Sequence, residues 1–344
     1  MKKKSEILPN NICFITHQLE HLHNVSVSVS FKAGSLYESK YNNGISHLVE
    51  HLFFRQLSDL SQESLYFNMQ KIGGEITGKT YCDYVTFSIN VIPQYLYDAL
   101  DIMLKFFDDF EWSNSIILKE KEVVLRQIEN KAYSYNQWID SIYFENTKYT
   151  LPIMGTKKTV KSLTAFEINS WKKEYFSPAN SCVTITGNFS NEFYDFLKQK
   201  LSIINNFGKK QAPIIEIAPN FTKRNSDNYL TVINADSKLS EVVVLFDIKN
   251  SFDYESVKLI TSILSDGCGS KLSMIMREKY QLTDDIFTQL TSYCGFHRYS
   301  ISYTVKNKNI FNSIDILFKI INEIKTDITL NEYASTIPFF TDNQ

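Results

Sequence analysis

Residues 11–34 alternate apolar and polar side chains, first in "NICFIT" and then in "VSVSVSF", with a polar stretch between them. A period of two marks half-buried strands, and this order predicts two strands joined by a hairpin. The period changes after "KAGSLYESKYNNG". Ile45, Leu48, Val49, Leu52 and Phe53 then recur at helical spacing, to about Leu57. Next come a polar helix start, a Gly73-Gly74 turn and a strand over "YVTFSINVI" (84–92). An amphipathic helix from Pro93 to Phe107 follows, and another from about Ser113 to Tyr135. "SLTAFEINSWKKEYF" (162–176) predicts a helix with Thr164 as N-cap ahead of Glu167, and "SCVTITGNF" (181–189) a buried strand.

The stretch "FGKKQAPIIEIAPNFTKRN" (207–225) combines two prolines, basic residues and a loss of periodicity, so the interdomain linker is expected there. This divides the chain into residues 1–206, the linker, and residues 226–344. From Tyr229 the expected order is strand, strand ("EVVVLFDI"), helix (253–265), helix (270–280), strand ("RYSISYTV") and a final helix near 309–325. The second half thus echoes the strand-strand-helix opening of the first, as a divergent repeat would.

Composition narrows the class. At 344 residues, with 43% hydrophobic and 22% charged side chains, the chain reads as a globular protein of two domains. The net charge of −2 and scattered basic residues call for no nucleic-acid partner. No apolar run is long enough to span a bilayer, and no apolar segment follows the basic start. Five separated cysteines without a Cys-x-x-Cys pair indicate reduced thiols and a cytoplasmic setting.

Chemistry enters through a motif that occurs twice. "THQLEHLHN" (16–24) and "SHLVEHLFF" (46–54) both contain His-x-x-Glu-His. Two imidazoles on one zinc need ring nitrogens within roughly 4 Å. Positions i and i+4 meet that condition on a helix, about 6 Å apart along the axis, and miss it on a strand, about 13 Å apart. His17 and His21 lie between alternating segments and are expected to be extended or turning. His47 and His51 sit on the helical segment, with Glu50 at the border of the same face. A carboxylate there reaches a water at zinc's open position and serves as general base. The reversed order relative to His-Glu-x-x-His is that of inverzincins.

The surroundings of the second copy carry a resemblance. "FKAGSLYESKYNNGISHLVEHLFF" resembles the opening of the pitrilysin-type metallopeptidases, the family of insulin-degrading enzyme and the mitochondrial processing peptidase β subunit. In the family's order follow "IGGEITGKTYCDYVTFSI", "EKEVVLRQIEN", "MGTKKTVKSLTAFEINSWKKEYFSPANSCVTITGNF" and "DGCGSKLSMIMREKYQL", covering roughly residues 11–325. The resemblance implies an α+β protein of two repeated domains, each a mostly antiparallel sheet with helices packed on one side, the second shortened. It also implies a chamber between the halves that admits unfolded peptides. An extended substrate would add as a strand along Gly74, Glu75, Ile76 and Thr77, within an edge reaching Tyr81.

Two departures from the family pattern bear on the chemistry. The family's third zinc ligand is the second glutamate of a Glu-x6-Glu pair. The alignment puts Glu120 at the first position and Gln127 at the second. Two turns apart on one face, Gln127 still points at the metal but brings no charge. Glu120 then supplies charge from behind a ligand or swings in as a replacement, while Glu129 is turned away. In "REKYQLTDD", Arg277 matches a substrate-gripping arginine, but Asp284 stands seven residues on, where the family has tyrosine. The implied activity is a zinc endopeptidase that cleaves unfolded or leader peptides, with His47, His51 and Gln127 on Zn2+ and Glu50 and Glu120 in catalysis. The implied assembly is a homodimer, or a heterodimer with a second pitrilysin-like subunit. The rival expectation is a weakly active or non-catalytic peptide-binding subunit that supports an active partner.

Overall fold

A computed structural model describes residues 2–130, 139–140, 142–144, 147–205, 238–248, 254–267, 269–293, 296–326 and 328. The chain divides into two compact units, Met1–Ile215 and Glu216–Gln344. The expected linker 207–225, the strand from Tyr229 and the last turns of the helix expected to reach Tyr135 lie outside the described residues.

The first unit is built on a six-stranded sheet. Its strands are β1 (Lys2–Ile7), β2 (Cys13–Gln18), β3 (Val25–Phe31), β6 (Glu75–Thr80), β7 (Val85–Val91) and β8 (Ser181–Gly187), in the order β1-β2-β8-β3-β7-β6. The short strands β4 (Gln56–Leu57) and β5 (Leu60–Ser61) form a separate ribbon. The helices whose bounds are fully described are α1 (Ile45–Arg55), α2 (Gln62–Lys71), α3 (Leu96–Leu104), α4 (Asn114–Asn130), α5 (Lys157–Ser162), α6 (Ala165–Tyr175) and α7 (Asn191–Ser202).

Alternation decides which sheet face is buried. Val25, Val27, Val29 and Phe31 of β3 and Val85, Phe87, Ile89 and Val91 of β7 are almost fully buried, and they join one core with the apolar faces of α1, α3, α6 and α7. Each such side chain contributes roughly 1.5–3 kcal/mol on leaving water. The intervening hydroxyls occupy the opposite face, where Ser28 meets Ser88 at 2.8 Å and Ser30 donates to Thr86 at 2.9 Å. Phe53 of α1 is 1% exposed, and its ring lies 5.1 Å from Phe87, 5.2 Å from Phe106, 5.1 Å from Trp112 and 5.5 Å from Phe176. This aromatic nest fixes the back of α1 against the sheet.

The hairpin expected across residues 11–34 does not form. β8 lies between the two strands, parallel to β2 in the register Cys13↔Cys182 and antiparallel to β3 in the register Phe31↔Ser181. Alternation specifies which side chains face the core, and it says nothing of which strand supplies the ladder partner. The β2–β8 pair makes the sheet mixed, while its other pairs are antiparallel.

Helix ends follow local chemistry. The Thr164 hydroxyl accepts from the Glu167 amide at 3.2 Å while the Glu167 carboxylate accepts from the Thr164 amide at 2.7 Å, the capping box expected from sequence. β1 and α7 were not read from the sequence.

In the second unit a three-stranded antiparallel sheet runs β10 (Ile286–Tyr293), β11 (Phe296–Lys306) and β9 (Leu239–Ile248), in the order β10-β11-β9. With it come α8 (Tyr254–Ser265), a π-helical turn over Ser273–Lys279 and α9 (Ile310–Thr326). Leu264, Leu272, Met276, Ile301, Tyr303 and Leu317 form its core. β9, α8, β11 and α9 lie where the sequence placed them, and β10 is an addition. Among the described residues no helix is long and apolar enough to cross a membrane.

Candidate metal centre

α1 carries the motif, and its start is held by a buried anion. Gly44 precedes the helix with φ +95°, and a Cβ there would come within 2.7 Å of the Met154 carbonyl oxygen, so only glycine fits. Glu38, 1% exposed, closes the turn. Its Oε2 accepts from the Gly44 amide and from Asn43 Nδ2, both at 2.8 Å, and its Oε1 accepts from the Ser46 amide at 2.9 Å. These are the amides a helix leaves unpaired at its N-terminus, where negative charge is favoured. Burial pushes the Glu38 carboxyl above the usual carboxylate range, and the donors from Gly44, Ser46 and Asn43 oppose that shift.

On the next turn, His47 and His51 stand with ring centroids 4.6 Å apart. One ligand atom each from His47, Glu50 and His51 falls within 4.8 Å of the others. α4 packs against α1 and brings Glu120 and Gln127 to the same place. His51 Nδ1 lies 3.0 Å from Glu120 Oε1, and Arg55 Nε donates to Glu120 Oε2 at 2.9 Å. An ionised carboxylate only accepts, so His51 Nδ1 is the donor of this pair, which leaves Nε2 as the ring atom available to a metal. Burial raises the Glu120 carboxyl, but His51 and the Arg55 guanidinium outweigh it and hold the group below the usual range. Arg55 Nη1 in turn donates to Gln62 Oε1 at 2.7 Å, so the clamp is itself anchored.

Gln127 Oε1 lies 3.4 Å from His47 Nε2. Two ligands that each sit about 2.0–2.1 Å from a tetrahedral zinc are about 3.4 Å apart, so this pair already has the spacing of a ligand edge. His47 Nδ1 is buried without a hydrogen bond; Glu50 Oε2 lies 3.4 Å from it but outside hydrogen-bond geometry. Two imidazoles, an amide oxygen and a neighbouring carboxylate are a donor set that suits zinc.

The two roles expected of Glu120, orienting a ligand or replacing one, meet different local geometry. Both its oxygens are occupied, and it is 6% exposed, so swinging to a metal would strand His51 and Arg55. Glu129 faces outward and pairs with Lys157 at 3.1 Å. The first copy of the motif is built differently: His17 belongs to β2, paired with Lys3 and Thr186, and His21 lies in the turn beyond.

Among the described residues β6 is the last strand of the sheet order, and its outer edge beside α1 pairs with no described strand. Gly74 leads into it, and Glu75, Ile76 and Thr77 lie on it. The cross-strand pairs Ile76↔Ile89, Gly78↔Phe87 and Thr80↔Val85 put Ile76, Gly78 and Thr80 on the helix side of the sheet, and Glu75 and Thr77 on the other. Thr80 Oγ1 donates to Glu50 Oε2 at 3.0 Å. Sequence reading passed over Arg55 and Glu38, and it placed Gly78 and Thr80 only within the edge reaching Tyr81. The signal for Arg55 was its place one turn beyond His51, and the signal for Thr80 was the alternation of β6 itself. In the second unit, Arg277 and Asp284 line one small cavity together with Ser265, Ser273 and Asp285, and Arg277 Nε donates to Glu278 Oε1 at 2.9 Å.

The first unit thus presents His-x-x-Glu-His, the residue order of inverzincins, on a helix beside the last described strand of its sheet. Residues 14–157 match Insulinase (Peptidase family M16), and residues 162–337 match the Peptidase M16 inactive domain. The chain belongs to the M16 peptidase family. An uncharacterized zinc protease of Rickettsia felis is 22% identical over 330 residues, 94% of this chain and 76% of that one. The probable mitochondrial-processing peptidase subunit beta of Arabidopsis thaliana is 21% identical over 257 residues, and the match spans 74% of this chain but only 48% of that protein. The crystal structure of a protease from Helicobacter pylori shares the fold at a TM-score of 0.81 and 18% identity, covering 99% of this chain and 84% of that one.

Proposed function

We propose that the chain is a zinc-dependent endopeptidase acting on unfolded peptides or leader peptides. The convergence of His47, Glu50 and His51 on one helix face carries the reading. His47, His51 and Gln127 hold zinc, with Glu120 and Arg55 fixing the His51 ring from behind. Bound there, zinc would supply Lewis acidity to the scissile carbonyl and to the attacking water. Glu50 takes a proton as the water oxygen bonds to the carbonyl carbon, then delivers it to the amine nitrogen as the carbon–nitrogen bond breaks. An extended peptide pairs with the β6 edge through main-chain hydrogen bonds, a mode tolerant of sequence. The resemblance assigns Arg277 a substrate-binding role.

We assign a cytoplasmic setting, on the ground that the five cysteines are widely separated in sequence and form no Cys-x-x-Cys pair. The names of relatives as peptidase subunits support a paired assembly, either a homodimer or a heterodimer with a second chain of the family. A second reading rests on Gln127, whose neutral oxygen replaces a charged ligand: a weakly active peptide-binding subunit that serves an active partner. Zinc content of the purified chain, with cleavage of a library of internally quenched peptides, separates the two. The peptidase reading expects about one zinc per chain and loss of cleavage in Glu50→Gln. Full retention of cleavage in that variant refutes it, and zinc binding without cleavage favours the second reading.

A further inference from the structure

The two oxygens of Glu50 meet β6 differently, and Oε2 also lies 3.4 Å from His47 Nδ1. Oε2 accepts from Thr80 Oγ1 at 3.0 Å. Oε1 lies over Gly78, where a Cβ would stand 2.6 Å from it and 2.5 Å from Phe54 Cε2. The edge strand therefore ties down one oxygen with a hydroxyl and leaves the other uncovered by having no side chain. Glu50 is 8% exposed, so a lost hydrogen bond here is not simply replaced by bulk water.

We infer that Thr80 is a positioning residue that aims Glu50, leaving Oε1 as the atom that accepts the proton from water. This rests on Glu50 being the base. The strand that offers its edge to an extended peptide then also sets the direction of the base, so peptide docking and proton transfer share one rigid element. Sub-ångström placement matters for such a step, since general-base catalysis requires the acceptor within hydrogen-bond reach of the proton.

Thr80→Val keeps the shape and β-branching and removes the donor, while Thr80→Ser keeps the donor. With the zinc-loaded chain and the quenched-peptide library, Thr80→Val should lower kcat about tenfold with KM within about twofold, and Thr80→Ser should restore most of it. Zinc content should be unchanged in both. In a Glu50→Gln background, Thr80→Val should cost nothing further, because the two act as a unit. Crystal structures of the single variants supply a readout independent of turnover: the Glu50 carboxylate should move in Thr80→Val and stay in Thr80→Ser. The inference is overturned by a kcat unchanged in Thr80→Val while Glu50→Gln is impaired, by a loss confined to KM, or by an unmoved Glu50 carboxylate. Full activity in Glu50→Gln would instead overturn the base assignment, and this inference with it.

Discussion

Glu38 gives the sharpest test of how α1 is held. Its Oε1 accepts from the Ser46 amide and its Oε2 from the Gly44 amide and Asn43 Nδ2, which also donates to the Pro152 carbonyl at 3.0 Å. In Glu38→Ala the two amides lose their acceptor in a site only 1% exposed, at about 1–3 kcal/mol each. Relief of the buried carboxylate's own desolvation offsets part of this, so the net loss is about 2–4 kcal/mol. Glu38→Gln keeps one acceptor oxygen and turns an NH2 toward the other donors, which costs about 1–2 kcal/mol. The pH dependence has a definite sign. The folded carboxyl lies above the unfolded value, so between the two the native state holds a proton that the unfolded state has released. Stability from this group is full at lower pH, falls as pH rises through that window and is flat above it. Glu38→Gln should lack that fall. All three tryptophans, Trp112, Trp138 and Trp171, belong to the first unit, so their fluorescence in urea follows that unit alone. A Glu38→Ala chain within about 0.5 kcal/mol of wild type would refute the view that this anion anchors the helix.

Gln127→Glu should tighten zinc at least about tenfold, measured by competition with a chromophoric chelator, because a carboxylate adds charge at the 3.4 Å ligand edge; unchanged affinity removes Gln127 from the site. Phe53→Ala should cost about 3–5 kcal/mol in the urea transition, since the ring is 1% exposed among five aromatic partners that cannot all collapse inward. Lys172 is 3% exposed, donating to the carbonyls of Asp108 and Phe110, and burial holds its ammonium pKa down to about 8. Between that value and the unfolded 10.5 the unfolded state binds the extra proton, so stability rises with pH there, by on the order of 3 kcal/mol. The gap between wild type and Lys172→Met should widen in favour of wild type from pH 8 to 10.5, and a constant gap refutes it.

What could be read in advance was what repeats along the chain. The 3.6-residue face of "GISHLVEHLFFRQL" separates His47 and His51 from the strand-borne His17, while Glu120 and Gln127, two turns apart on one helix, were singled out by the family resemblance and not by any repeat. Contacts that cross between elements were not legible. Arg55 acquires its role only because α4 places Glu120 beside it, and Thr80 only because β6 passes over Glu50. Glu38 reads as a polar residue in a turn until the fold buries it. The false hairpin has the same origin: "NICFIT" and "VSVSVSF" each declare a buried face, and neither declares that its neighbour lies at Ser181–Gly187.

That insertion of β8 between β2 and β3 has a consequence for how the chain is made. Cys13 meets Cys182 and Val25 meets Gly187, so the two earliest core strands share a partner that a ribosome delivers last among the sheet's members. Until Gly187 has emerged, β3 can pair with β7 on one side only, and the other ladder edge of each strand stays open. Long-range closures of this kind are slow, and their exposed edges invite pairing with other nascent chains. With only 11 residues, α1 is marginal in water by itself, so the helix that carries the motif gains its stability only as the sheet behind it closes.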